Sequence, residues 1–94
     1  MQKHMVFNGI LERGMVGIVR AGSPDAALLL AEACIAGGVT ALEVAFTTPD
    51  TLGVLRALRA RHGDEVLLGA GTVLDAETAR AAILAGAQFI ISPG

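Results

Sequence analysis

Residues 41–50 read ALEVAFTTPD. The first six are apolar except for Glu43, and Val44 and Phe46 suit a pleated, half-buried surface. The last four supply the turn and cap residues that open a helix. A strand running directly into a helix start is the unit of a parallel α/β fold. Within that strand Glu43 stands between Leu42 and Val44, in a segment otherwise fit for burial.

The same punctuation recurs along the chain. Asp25, Asp50 and Asp75 are spaced by 25 residues. Ser23-Pro24-Asp25 is echoed by Thr48-Pro49-Asp50 and more weakly by Val73-Leu74-Asp75. Gly37-Gly38, Gly63 and Gly86 each follow by about one short helix. A period of this size marks one supersecondary unit repeated. Each unit reads strand, turn, helix. The strands are residues 15–21 (MVGIVRA), 41–46 (ALEVAF), 66–72 (VLLGAGT) and 89–94 (FIISPG). The helices between them start at the cap residues Ser23 (with Pro24 at the first helical position), Thr48 and Asp75, and stop at glycines. Residues 6–13 are expected to form a short helix ahead of the first strand.

This pattern predicts four parallel strands, a short N-terminal helix and three crossover helices. A small open α/β sheet and half of a (β/α)8 barrel both fit. A whole barrel needs roughly 250 residues, and the chain has 94. On the second strand Ala41, Glu43, Ala45 and Thr47 share one face, while Leu42, Val44 and Phe46 share the face that helices would cover. On the first, Val16, Ile18 and Arg20 lie together. On the third, Leu68, Ala70 and Thr72 are expected to face the interior, leaving Gly69 and Gly71 under a helix that can then approach closely.

Functional groups in such folds collect at the C-terminal strand ends. Arg20, Thr47, Thr72 and Ser92 fall there, with Glu43 deeper on the Thr47 side. An unpaired buried carboxylate costs on the order of several kcal/mol, so Glu43 needs a partner or a task. An ion pair with Arg20 on the neighbouring strand would supply the first. Thr72 also reads as a loop-capping hydroxyl, and Arg20 as a solvated residue at the mouth.

The composition excludes several classes. The chain is 53% apolar and 17% charged, with three Phe as its only aromatics, which suits buried parallel strands under helices. A net charge of −2 without any basic block gives no basis for nucleic-acid binding. No run of 18 apolar residues is present, so no membrane span is expected. The N-terminal MQKHMVFNGI lacks the apolar core of a secretion signal, and the single Cys34, read as a small buried apolar residue, fits a reducing cytoplasm. His4 lies near the terminus, and His62 sits where a cation suits a helix C-terminus. No cluster has metal-ligand spacing, and GAGTV (69–73) lacks the further residues of a nucleotide-binding loop, so no metal or cofactor is expected.

The ordered series VGIVRA, GGVTALEVAFTTP and VLLGAGTVLDAETARAAILAGAQFIISPG resembles the 2-keto-3-deoxy-6-phosphogluconate (KDPG) / 4-hydroxy-2-oxoglutarate (KHG) aldolase family, from about Gly14 to Gly94. The resemblance implies the N-terminal half of a (β/α)8 TIM barrel and a class I, Schiff-base aldolase, usually a homotrimer. Its substrates would be 2-keto acids that yield pyruvate together with glyceraldehyde 3-phosphate or glyoxylate. It further implies that Glu43 is the general acid/base and that Thr72 holds the pyruvate carboxylate. Arg20, Ser92 and Pro93 would line the substrate site. Many members carry an arginine where this chain has Thr47, so Thr47 and Arg20 are expected to share substrate binding. The family's Schiff-base lysine lies on a later strand. Here Lys3 is the only lysine and stands outside any strand. Residues 1–94 are therefore expected to be half of one barrel domain and inactive alone.

Two other readings fit the residues. One is a different barrel enzyme with a phosphate-bearing substrate, against which Glu43 followed by TTP and the closing SP both argue. The other is a self-associating α/β module without catalysis, which must cover its inner face and two open strand edges.

Overall fold

Four parallel strands form one sheet in the order β1-β2-β3-β4: β1 (Gly17–Val19), β2 (Ala41–Ala45), β3 (Leu67–Gly71) and β4 (Phe89–Ile90). The computed structural model describes residues 16–92. The helix expected over 6–13 lies outside the described residues. Helices α1 (Pro24–Ala36), α2 (Thr51–His62) and α3 (Ala76–Leu84) make the three crossovers, and a 3-10 turn over Gly63–Glu65 leads into β3. Strictly sequential parallel order, with a helix in every connection, is how a (β/α) barrel wall is built; a doubly wound sheet reverses its order.

The helix starts follow from local chemistry. Extended Ser23 accepts a hydrogen bond from the Ala26 N–H at 3.1 Å, with Pro24 just inside α1. Asp75 accepts from the Thr78 N–H at 2.7 Å at the start of α3. Helix α2 departs from expectation. Its cap is Asp50, in the left-handed region at φ 51°, which accepts from the Gly53 N–H at 3.2 Å. Thr48 is not the cap: the helix begins only at Thr51, directly after Asp50, and residues 46–50 form a turn ahead of it. Thr48 instead turns the chain, its N–H donating to the Ala45 carbonyl at 2.9 Å.

The main core lies between sheet and helices. Val19, Leu42, Val44, Leu68 and Ala70 pack against Ala27 and Ala31 of α1, Val54, Leu55 and Leu58 of α2, and Ala82 of α3. Cys34 is only half-buried and packs at the margin of this core. Helices α1 and α2 are also joined by charge. Glu32 accepts from Arg61 at 3.0 Å and pairs with His62 Nε2 at 2.7 Å. These hydrogen bonds, that of Arg61 foremost, hold the Glu32 carboxyl below the ordinary glutamate range.

The register corrects the expected facing of β3. Leu42 pairs with Leu68, and Val44 with Ala70, so Leu68 and Ala70 point to the helices rather than the interior. Glu43 pairs with Gly69 and Ala45 with Gly71, so the glycines lie on the inner face. Paired residues on adjacent strands project to the same side, and β2 thereby dictates the parity of β3. Among the described residues no helix is long and apolar enough to cross a membrane.

Candidate active site

Glu43 leaves β2 on the face turned away from the helices and is half-buried. In the register it stands between Ile18 of β1 and Gly69 of β3. Its side chain does not stay over Gly69. A Cβ added to Gly71 would overlap Cγ, Cδ and Oε2 of Glu43, whereas a Cβ on Gly69 would overlap the Phe89 ring. The carboxylate thus crosses from β2 onto β3 and leans two residues toward the C-terminal strand ends. Phe89 fills the lower step and, with Ala41, Leu67 and Val16, forms a separate apolar cluster on this inner face.

A cleft opens at the C-terminal ends of β2 and β3, and Glu43 is not among the residues that line it. Thr72, half-buried and left-handed at φ 59°, directly follows β3 and breaks the strand alternation. This turn, rather than the period of two, aims residue 72. Thr72 shares a cleft of about 230 Å³ with Phe46, Thr47, Leu74, Asp75 and Thr78. Asp75 sits at its rim: the backbone N–H and then the hydroxyl of Thr78 hold its carboxyl below the ordinary range.

The remaining residues singled out from the sequence are distributed unevenly. Arg20 is exposed just beyond β1, and among the described residues no ion pair joins it to Glu43. A structural ion pair therefore does not account for the carboxylate. Ser92 is exposed beyond β4, across the sheet from Arg20. Pro93 lies outside the described residues. Among the described residues no group of three or more His, Cys, Asp or Glu could hold a metal ion.

The sheet and its crossover helices have close counterparts among solved structures. A family model described as KDPG and KHG aldolase matches residues 7–94. The chain belongs to the KDPG and KHG aldolase family. The 2-dehydro-3-deoxy-phosphogluconate aldolase of Treponema pallidum is 40% identical over 89 residues, covering 95% of this chain and 42% of that protein. The KDPG aldolase of Zymomonas mobilis ZM4, solved with 3-phosphoglycerate, superposes with a TM-score of 0.83 at 29% identity, over 99% of this chain and 44% of that one. The KDPG aldolase of Legionella pneumophila, with pyruvate captured at low pH as a covalent carbinolamine intermediate, gives a TM-score of 0.81 at 36% identity, over 100% of this chain and 44% of that one. The chain thus spans under half the length of these aldolases. Its four-stranded wall is that of their TIM barrel.

Within this aldolase fold two further residues, Thr48 and Thr51, hold the loop after β2. Thr48 and Thr51 are both 3% exposed. Thr48 Oγ1 accepts from the Ala21 N–H at 3.3 Å, tying the loop after β2 to the residue that follows Arg20. Thr51 Oγ1 lies 2.7 Å from the Thr48 carbonyl and 3.0 Å from that of Ala45. The run of hydroxyls in TTPDT marks this brace in the sequence, since Thr48 and Thr51 both turn their hydroxyls onto backbone groups.

Proposed function

We propose that these 94 residues form half of a single barrel domain of a class I aldolase. The enzyme cleaves 2-dehydro-3-deoxy-6-phosphogluconate to pyruvate and glyceraldehyde 3-phosphate, 4-hydroxy-2-oxoglutarate to pyruvate and glyoxylate, or both. The observation that carries this reading is the Glu43 carboxylate, held on the inner face and leaning over Gly71 toward the strand ends. Family membership supports the reaction type, and the carbinolamine captured with pyruvate in the Legionella relative supports an amine nucleophile.

The chemistry assigns roles to the wall. A lysine amine on the other half of the barrel attacks the keto carbon, and the resulting carbinolamine loses water to give the Schiff base. Glu43 delivers the proton that lets hydroxyl leave as water. As a carboxylate it then takes the proton of the C4 hydroxyl while the C3–C4 bond breaks and its electron pair passes into the enamine. Thr72 and Thr47 orient the carboxylate end of the substrate, and Arg20, Ser92 and Pro93 are assigned to substrate binding by family resemblance. No cofactor takes part. The chain's only lysine is Lys3, so residues 1–94 alone do not turn over substrate. The working enzyme is a cytoplasmic homo-oligomer, a trimer, of the Entner–Doudoroff route of carbohydrate metabolism, with no nucleic-acid or membrane partner.

Borohydride reduction in the presence of pyruvate tests the proposal. Covalent labelling of a strand lysine is expected in the protein with a completed barrel, and none in the 94-residue chain. Glu43→Gln in the completed barrel is expected to lower kcat by roughly 10²–10⁴-fold, the usual weight of general acid/base catalysis. Absence of label in the completed barrel would point to a different barrel chemistry.

A further inference from the structure

We infer that Gly71 is a positioning residue for Glu43: the absence of a side chain at residue 71 is what lets the carboxylate lie toward the mouth. Three observations carry this. First, Gly71 is the last residue of β3 and pairs with Ala45, so its missing side chain would project onto the inner face beside that of Glu43. Second, the three atoms nearest to a Cβ there, each in overlap with it, belong to Glu43, namely Oε2, Cδ and Cγ. Third, the backbone does not require glycine. The positive-φ glycines among the described residues are Gly38, Gly63 and Gly86, so residue 71 holds a conformation that alanine adopts freely.

Gly69 provides an internal contrast. It lies two residues earlier on the same strand and face, is equally crowded, and is filled by the Phe89 ring instead. The two glycines therefore form two steps, one for an aromatic floor and one for a carboxylate. Alanine at residue 71 pushes Glu43 back over β2 or out toward the lumen. Alanine at residue 69 displaces Phe89.

The functional meaning rests on the proposed general acid/base role of Glu43, but the test does not use activity. In the 94-residue chain, with glutamate labelled with ¹³C at the carboxyl, Gly71→Ala is expected to move the Glu43 carboxyl signal and leave the Phe89 ring signals in place. Gly69→Ala is expected to do the reverse. Gly71→Ala is also expected to lower the Tm by roughly 5–15 °C through overpacking. Most of that loss should vanish when it is combined with Glu43→Ala, which empties the space. That double variant keeps the test alive should Gly71→Ala alone fail to fold. An unmoved Glu43 signal, or the same Tm loss with and without the Glu43 side chain, overturns the assignment. Failure of the aldolase reading would leave all of these results unchanged.

Discussion

Glu32 on α1 and His62 on α2 meet at 2.7 Å, Oε1 to Nε2, while Arg61 holds the other carboxylate oxygen at 3.0 Å. A carboxylate only accepts, so Nε2 carries the hydrogen. One acidic residue thus bridges two consecutive positions in the last turn of the next helix. Its folded-state pKa lies below that of the unfolded chain. The stabilisation is therefore complete above the unfolded glutamate value, about 4.3, and is lost as pH falls through the lower folded value. Asp75 contributes with the same sign through its bonds to Thr78. Thermal melts across roughly pH 2–7 should show an acid limb that Glu32→Gln makes shallower. An unchanged limb in that variant would remove the bridge from the account.

Asp50 combines a left-handed backbone with a cap hydrogen bond to Gly53. Asparagine offers both properties, glycine only the first and alanine neither. The expected order of stability is therefore Asp50 close to Asn, then Gly, then Ala, the last about 1–2 kcal/mol below the parent. Urea denaturation of the three variants checks the order.

Thr48→Val keeps the shape of a buried side chain and removes the acceptor of the Ala21 N–H. A net loss of about 1 kcal/mol is expected, the usual cost of one buried hydrogen bond. Faster amide exchange at Ala21 should accompany it, because the brace to the loop after β1 is gone. Retained protection at Ala21 would show that Thr48 does not hold that loop.

Leu55 is completely buried at the centre of the helix-side core. Leu55→Ala is expected to cost about 2–5 kcal/mol. A domain of this size has a total stability of only about 5–10 kcal/mol, so the variant should populate unfolded chain visibly at 37 °C. Circular dichroism melts measure this directly. Leu29→Ala, on the exposed side of α1, serves as the near-neutral comparison.

Much of the architecture was legible in advance. The 25-residue beat placed three crossover helices and four strands, and Ser23 and Asp75 cap as their positions suggest. The start of helix α2 differs from expectation, because Thr48 and Asp50 are both good cap residues and only the folded turn over residues 46–50 chooses between them. The site was legible in its parts. Glu43 stands out as a lone carboxylate on an apolar strand, and Thr47 and Thr72 do meet in one cleft. Spacing alone does not decide an ion pair between Arg20 and Glu43, since residues on neighbouring strands meet only if their rows and side-chain directions coincide.

The sequence by itself determined the order of elements, the family and the identity of the acid/base candidate, because periodicity, caps and a misplaced charge are properties of neighbours along the chain. Tertiary structure alone decided which face of β3 looks inward. LLGAG has small or apolar residues at both parities, so alternation leaves two solutions of similar merit. Pairing with β2 settles it: Leu68 and Ala70 complete the core beneath the helices. Gly69 and Gly71 open the inner face, where only residues without side chains leave room for the Phe89 ring and the Glu43 carboxylate.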